Sequence, residues 1–188
     1  MSDGLAGAER FDLAQIAPLP WKNGAGSTRE IAVHPRGAGI DGFEWRVSIA
    51  EVDRAAPFSA YPGIDRVIAL FDGHGLRLRG DVAHDLVEPF VPFGFAGECA
   101  IDGVPVDGPT RDLNVMTRRG TWSGAVEAHR GAGTLRAADA GALLCVRGRW
   151  ALPPLAAGEG LVWRAGRPAL EIAPASGEAV LIDVRLTR

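Results

Sequence analysis

Three short segments concentrate the side chains able to hold or act on a small polar molecule. The first, Pro20-Trp21-Lys22-Asn23-Gly24-Ala25-Gly26-Ser27-Thr28-Arg29-Glu30-Ile31, sets a cation, an amide and two hydroxyls around two glycines. Glycine lets backbone N–H groups approach a ligand closely, and successive N–H groups can form a concavity for an anion. Its lysine precedes the glycines and no helical pattern follows, which excludes a nucleotide phosphate loop. On residues alone the segment also reads as a surface turn with a solvated Lys22. The second segment runs from Arg111 to Gly120. If it is extended, Asp112, Asn114, Met116 and Arg118 share one side, as in the wall of a polar pocket or a solvated face. The third, Ala56 to Arg66, is a loop with Phe58, Tyr61 and two prolines that leads into a strand. Arg66 shares a side with Ile68 and Leu70, and a buried guanidinium requires a carboxylate or an anionic ligand. Asp65 points to the other face, so that partner must come from elsewhere.

The rarest residue types fall in these segments. Lys22 is the only lysine among 20 basic residues, Asn23 and Asn114 are the only asparagines, and Met116 is one of two methionines. His34, His74, His84 and His129 show no local metal-ligand spacing, so no metal and no other cofactor are expected. No G-x-S-x-G occurs, and neither Cys99 nor Cys145 lies in a known reactive context, so no nucleophilic residue is assigned. Two thiols cannot build a disulfide framework and fit buried residues of a reducing compartment. The formal charge of −3 over 188 residues argues against nucleic acid as a partner. No apolar run approaches the ~20 residues that cross a bilayer. The amino-terminal residues lack a basic start followed by an apolar stretch, so a cytoplasmic protein without a membrane partner is expected.

The elements that must position these residues read as short strands. Trp45, Val47 and Ile49 alternate with Arg46 and Ser48, the period of a strand. Asp65–Phe71 reads as a largely buried strand entering the turn Asp72-Gly73, and Leu76–Arg79 alternates again beyond it, which predicts a hairpin. Residues 142–146, 160–163, 169–172 and 179–186 continue the series, and helical signal is limited to one turn near Leu13–Ile16. With 25 glycines and 13 prolines as punctuation, the chain is expected to be all-β, a sandwich or barrel, with a seam near residues 120–135.

Taken together, the segments resemble the HutD/Ves family. The resemblance rests on residues 21–31, Trp45-Arg46-Val47-Ser48-Ile49-Ala50, residues 58–66, Asp72-Gly73-His74-Gly75-Leu76 and residues 111–120. One departure is Ala25, where the family's loop has a middle glycine; alanine would be strained there if the position needs positive φ. The resemblance implies a cupin-like double-stranded β-helix of the jelly-roll type, with two barrel halves in one chain (a bicupin). It divides the chain into an N-terminal half, 1–125, carrying the motifs, and C-terminal strands, 126–188, completing the second half. It also implies no metal, and a role in moderating histidine utilisation by binding an intermediate such as formylglutamate.

Formylglutamate is a dianion, and its site should combine cations with amide and hydroxyl groups. The expected ligand-binding residues are Lys22, Asn23, Thr28, Glu30, Arg46, Ser48, Arg66, Asp112, Asn114, Met116 and Arg118, with Glu30 and Asp112 balancing the cations. The leading reading is a metal-independent binder of a small anionic metabolite. A metal-free isomerase or hydrolase with Glu30 or Asp112 as base is one alternative. An interaction module, or a homodimer docking through the polar strand face, is the other.

Overall fold

Alternation of period two, broken every few residues by glycine or proline, leaves no stretch long enough for a stable helix. The computed structural model describes residues 5–188. Strand β1 (Glu9–Asp12) leads into a single 3-10 turn, Leu13–Gln15, where the Asp12 carboxylate accepts from the Ala14 N–H at 2.9 Å. There follow β2 (Leu19–Pro20), β3 (Gly26–His34), β4 (Trp45–Val52), β5 (Ala56–Pro57) and β6 (Ile64–Asp72). Next come β7 (Leu76–Gly80), β8 (His84–Leu86), β9 (Pro92–Ala96), β10 (Ile101–Pro105) and β11 (Thr110–Arg118). After these lie β12 (Ser123–His129), β13 (Gly133–Leu135), β14 (Ala140–Arg147) and β15 (Arg149–Leu152). The series ends with β16 (Leu155–Ala156), β17 (Glu159–Trp163), β18 (Leu170–Pro174) and β19 (Val180–Thr187).

These elements form two compact units, each a pair of open sheets whose registered pairings are antiparallel. One unit is Ala17–Gly124; the other joins the described residues up to Ile16 to Ala125–Arg188. The expected division into 1–125 and 126–188 therefore differs at its start, and its first four residues lie outside the described residues. The physical reason is β1, which pairs antiparallel with β17, Glu9 opposite Val162 and Asp12 opposite Glu159. The unit containing β1 has a five-stranded sheet, β1-β17-β14-β19-β12, and a four-stranded sheet, β13-β18-β15-β16. Its core is apolar, with Leu143, Cys145, Trp150, Leu161, Trp163, Ile172 and Leu181 packed together.

The unit Ala17–Gly124 has a six-stranded sheet, β2-β3-β4-β11-β6-β9, and a four-stranded sheet, β5-β10-β7-β8. The two sheets pack face to face through Val52, Ile68 and Leu70 on one and Leu76, Leu78, Leu86 and Ile101 on the other. The predicted β6–β7 hairpin is not formed, because β7 pairs with β10 and β8 in the smaller sheet. Gly73 and Gly75, at φ +98° and +146°, turn the chain across the sandwich there. Leu76 and Leu78 thus meet Ile68 and Leu70 face to face instead of edge to edge.

At the start of β3 the chain runs very close to β4. A Cβ on Gly26 would lie 2.0 Å from the Glu51 carbonyl oxygen. Ala25 is buried but is not among the residues at positive φ, so the alanine replacing the family's glycine carries no strain. Gly26→Ala should therefore lower stability by ~1–3 kcal/mol through overpacking, whereas Ala25→Gly should change it by no more than about 1 kcal/mol. Thermal unfolding of the two variants checks the order.

Candidate functional site

The register of the six-stranded sheet lines up the predicted polar residues in rows. Met116 on β11 lies opposite Arg46 on β4 and Arg66 on β6. One step along, Asn114 lies opposite Ser48 and Ile68, and Ser48 is opposite Glu30. A step further, Asp112 lies opposite Ala50 and Leu70, and Ala50 is opposite Thr28. Because side chains alternate along strands, these rows share one face. The other face carries Val47, Ile49, Leu113 and Val115, all buried. Both faces of the central strands are therefore covered, and the polar one looks into the unit.

That face borders a cavity of about 500 Å³, a volume suited to a small metabolite. Nine of the eleven expected residues line it: Lys22, Asn23, Thr28, Arg46, Ser48, Arg66, Asp112, Asn114 and Met116. The floor is buried, with Ser48, Arg66, Asp112 and Asn114 between 1% and 7% exposed. Lys22 and Asn23 sit exposed at the rim. The compact lysine head is thus in an open position, not gripped inside a tight loop.

Two expected residues do not line the cavity. Glu30 is outside the lining and accepts from Arg46 Nε at 2.7 Å, which fixes that guanidinium. Arg118 shares the parity of Met116, but its guanidinium donates to the Phe43 carbonyl at 2.8 Å. The carbonyl of a loop not foreseen from sequence thus takes it away from the site.

Arg66 has the least ordinary environment. Its guanidinium carbon lies 5.0 Å from the ring centres of Phe58 and Phe95 and 5.7 Å from that of Tyr61. It makes no ion pair with any described carboxylate, and its Nε is buried without a partner. Asp65 pairs with Arg119 at 2.7 Å on the other side of the strand. Burial lowers the proton affinity of Arg66, while the charges of Asp112 and Tyr61 raise it. Asp112 is complementary: both carboxylate oxygens are buried without a hydrogen-bond partner. Burial pushes its carboxyl up to about 7, against the opposing pull of Arg66. Ser48 Oγ and Asn114 Oδ1 are likewise buried and unpartnered.

The glycine loop is a hydrogen-bonded turn braced from outside, where Arg54 donates to the Asn23 carbonyl at 2.9 Å. Asn23 Oδ1 accepts from the Ala25 N–H at 3.0 Å, and the Gly24 N–H donates to the Trp21 carbonyl at 2.9 Å. Those two N–H groups are engaged within the turn, which presents Lys22 and the Trp21 ring to the cavity. Trp21 Nε1 donates to Thr28 Oγ1 at 2.8 Å, tying the loop to β3.

Phe58, Tyr61, Trp21, Leu19 and Ile40 line the cavity without having been assigned to it from sequence. The Phe58–Tyr61 loop carried a signal in its aromatics just before Arg66. Ile40 carried none, as its glycine- and proline-rich segment has no periodicity. The residues present do not fit a metal ion: the lining has no histidine and a single carboxylate beside three cations. Among the described residues, no group of three or more His, Cys, Asp or Glu is placed to hold one.

Two-sheet antiparallel units of this kind, one of them with a cavity lined by buried charged and polar residues, define an all-β, cupin-like protein. A single-substitution variant of oxalate decarboxylase from Bacillus subtilis shares this fold at a TM-score of 0.61 and 9% identity, over 94% of this chain and 76% of that one. The HutD family model matches residues 13–181, and the chain belongs to the HutD family. It is 33% identical over 181 residues to Protein Ves of Citrobacter koseri, covering 94% of this chain and 93% of the relative. It is also 40% identical over 100 residues to an uncharacterized 21.2 kDa protein in the hutC 3′ region of Pseudomonas putida, 52% of each chain. Among solved structures, HutD from Pseudomonas fluorescens SBW25 superposes with a TM-score of 0.81 at 26% identity, over 96% of this chain and 98% of that one.

A carboxyl at about 7 when folded and 3.8 ordinarily binds its proton more readily in the folded protein. Its contribution to stability is therefore largest below about pH 4 and is lost as pH rises through 7. Asp112→Asn removes that dependence. The variant's unfolding midpoint relative to wild type should rise steadily from pH 4 to pH 8, and an offset constant over that range would contradict the assigned environment.

Proposed function

We propose that this protein is a metal-independent binder of a small carboxylate metabolite, such as formylglutamate, and that it moderates histidine utilisation by holding that intermediate. The observation that carries the reading is Arg66, a guanidinium buried at the cavity floor with no carboxylate of its own. An anionic ligand would supply the missing charge, and a desolvated guanidinium binds a carboxylate more strongly and directionally than an exposed one. Lys22 at the rim would meet a second carboxylate, and the rings of Phe58, Tyr61 and Trp21 would cover the carbon chain between them. The names of two relatives, HutD and a protein in the hutC 3′ region, support the link to histidine utilisation. A cytoplasmic setting belongs to the same reading; no helix among the described residues is long and apolar enough to cross a membrane.

One observation favours a second reading. A buried carboxyl at about 7 is poised as a general base, so Asp112 could serve a metal-free hydrolase or isomerase of this fold. Incubation of N-formyl-L-glutamate with the protein separates the two, since a binder leaves it unchanged while an enzyme releases product at every turnover.

Titration calorimetry with N-formyl-L-glutamate tests the binding reading. Arg66→Ala should cost ~2–5 kcal/mol of binding free energy, as expected when one partner of a buried charge pair is truncated. Lys22→Ala, at an exposed position, should cost at most about 1 kcal/mol. Equal affinity in wild type and Arg66→Ala would remove the carboxylate site. Binding should also be unchanged after exhaustive treatment with EDTA.

A further inference from the structure

The cavity floor is polarised along the strands. Its first row is cationic, with Arg46 and Arg66 flanking Met116 across β4, β11 and β6. The second row is neutral and polar, Ser48 beside Asn114. The third holds the single lining carboxylate, Asp112. From the first row to the third is four residues along β11, roughly 13 Å of backbone, which the length of the Arg66 side chain shortens.

The orphaned groups sort the same way. At the far end, both oxygens of Asp112, Asn114 Oδ1 and Ser48 Oγ are buried without a protein partner. An ionised Asp112 can only accept hydrogen bonds; Asn114 and Ser48 can present either a donor or an acceptor. A second anionic group would set oxygen against oxygen there. A ligand N–H or O–H instead satisfies a buried acceptor whose unmet state is costly. We infer that the ligand carries a hydrogen-bond donor besides its anionic group, and that Asp112, assisted by Asn114 and Ser48, selects for that donor. This rests on the anion site at Arg66 proposed above and adds the polarity of its other end. The ligand class is an acid bearing an amide N–H or a hydroxyl; plain dicarboxylic acids are discriminated against. Such selection can be steep, because an analogue lacking the donor leaves buried polar groups unpaired.

Three probes and two variants test this by titration calorimetry on the full chain. N-Formyl-L-glutamate offers two carboxylates and an N–H, 2-hydroxyglutarate offers two carboxylates and an O–H, and glutarate offers two carboxylates alone. Wild type should bind each of the first two at least roughly tenfold more tightly than glutarate. In Asp112→Ala that preference should fall below about threefold, while glutarate binds as tightly as in wild type or more tightly, because a neighbouring negative charge is gone. Glutarate binding as well as N-formyl-L-glutamate in wild type, or a preference that persists in Asp112→Ala, overturns the inference while leaving the anion site intact. No binding of any probe at millimolar concentration overturns the anion site itself, and the inference with it. Should thermal unfolding show that Asp112→Ala does not fold, the wild-type ranking decides together with Asp112→Asn, which keeps size and one acceptor and should retain only part of the preference.

Discussion

The site depends on one constraint: a guanidinium has been taken out of water on β6 without an internal carboxylate to meet it. Removing one partner from a buried pair typically costs several kcal/mol, so a lone buried arginine has to be stabilised by other means. The surroundings of Arg66 supply them. Phe58 and Tyr61 come from the loop before β6 and Phe95 from the paired strand β9, so three ring faces lie near one cation. Guanidinium is more weakly hydrated than ammonium and stacks on aromatic faces, which is why arginine can occupy this floor while the lone lysine stays at the exposed rim. Register then fixes what Arg66 faces: Met116 directly across, and Asp112 only two rows away.

The unit comprising the described residues up to Ile16 and residues 125–188 offers an internal comparison. It also buries an arginine, Arg167, but closes it on itself. Arg167 is ion-paired with the equally buried Asp183, and its other terminal nitrogen donates to the Arg136 carbonyl at 2.7 Å. The chain therefore can pair a buried guanidinium with its own carboxylate, and around Arg66 it does not. The interiors differ accordingly. Leu143, Cys145, Leu161, Trp163 and Leu181 fill one unit, whereas in the other the inward face of β4 and β11 carries Arg46, Ser48, Asp112 and Asn114 beside a cavity. One architecture serves as a packed core in the first case and as a container in the second.

Much of this was legible in the sequence because strand periodicity is strict. Once β4, β6 and β11 were read as strands, Arg46 with Ser48, Arg66 with Ile68, and Asp112 with Asn114 and Met116 had to share faces, whatever the pairing. Pairing itself was not legible. The turn at Gly73 reads as a hairpin, yet whether the next strand joins the same sheet or the opposite one depends on which apolar faces meet. The same holds for β1, whose partner β17 lies some 150 residues away in sequence. Arg118 shows the limit of parity: it shares the side of Met116, but its reach lets the Phe43 carbonyl capture it. Glu30 shows another limit, since opposite charges on neighbouring strands satisfy each other before a ligand does.

Charge balance narrows what such a container accepts. Of the three lining cations, Arg46 is already neutralised by Glu30, which leaves Arg66 and Lys22 against Asp112. With Asp112 ionised the remaining excess is one positive charge; with it protonated the excess is two. A carboxyl held at about 7 stands between these cases. A monoanion with a donor matches the ionised floor, since its donor satisfies Asp112 and its charge satisfies Arg66. A dianion meets the ionised floor only when its own donor shields Asp112. Either way, it is the placement of Asp112, not the number of cations, that decides which acids the cavity can hold.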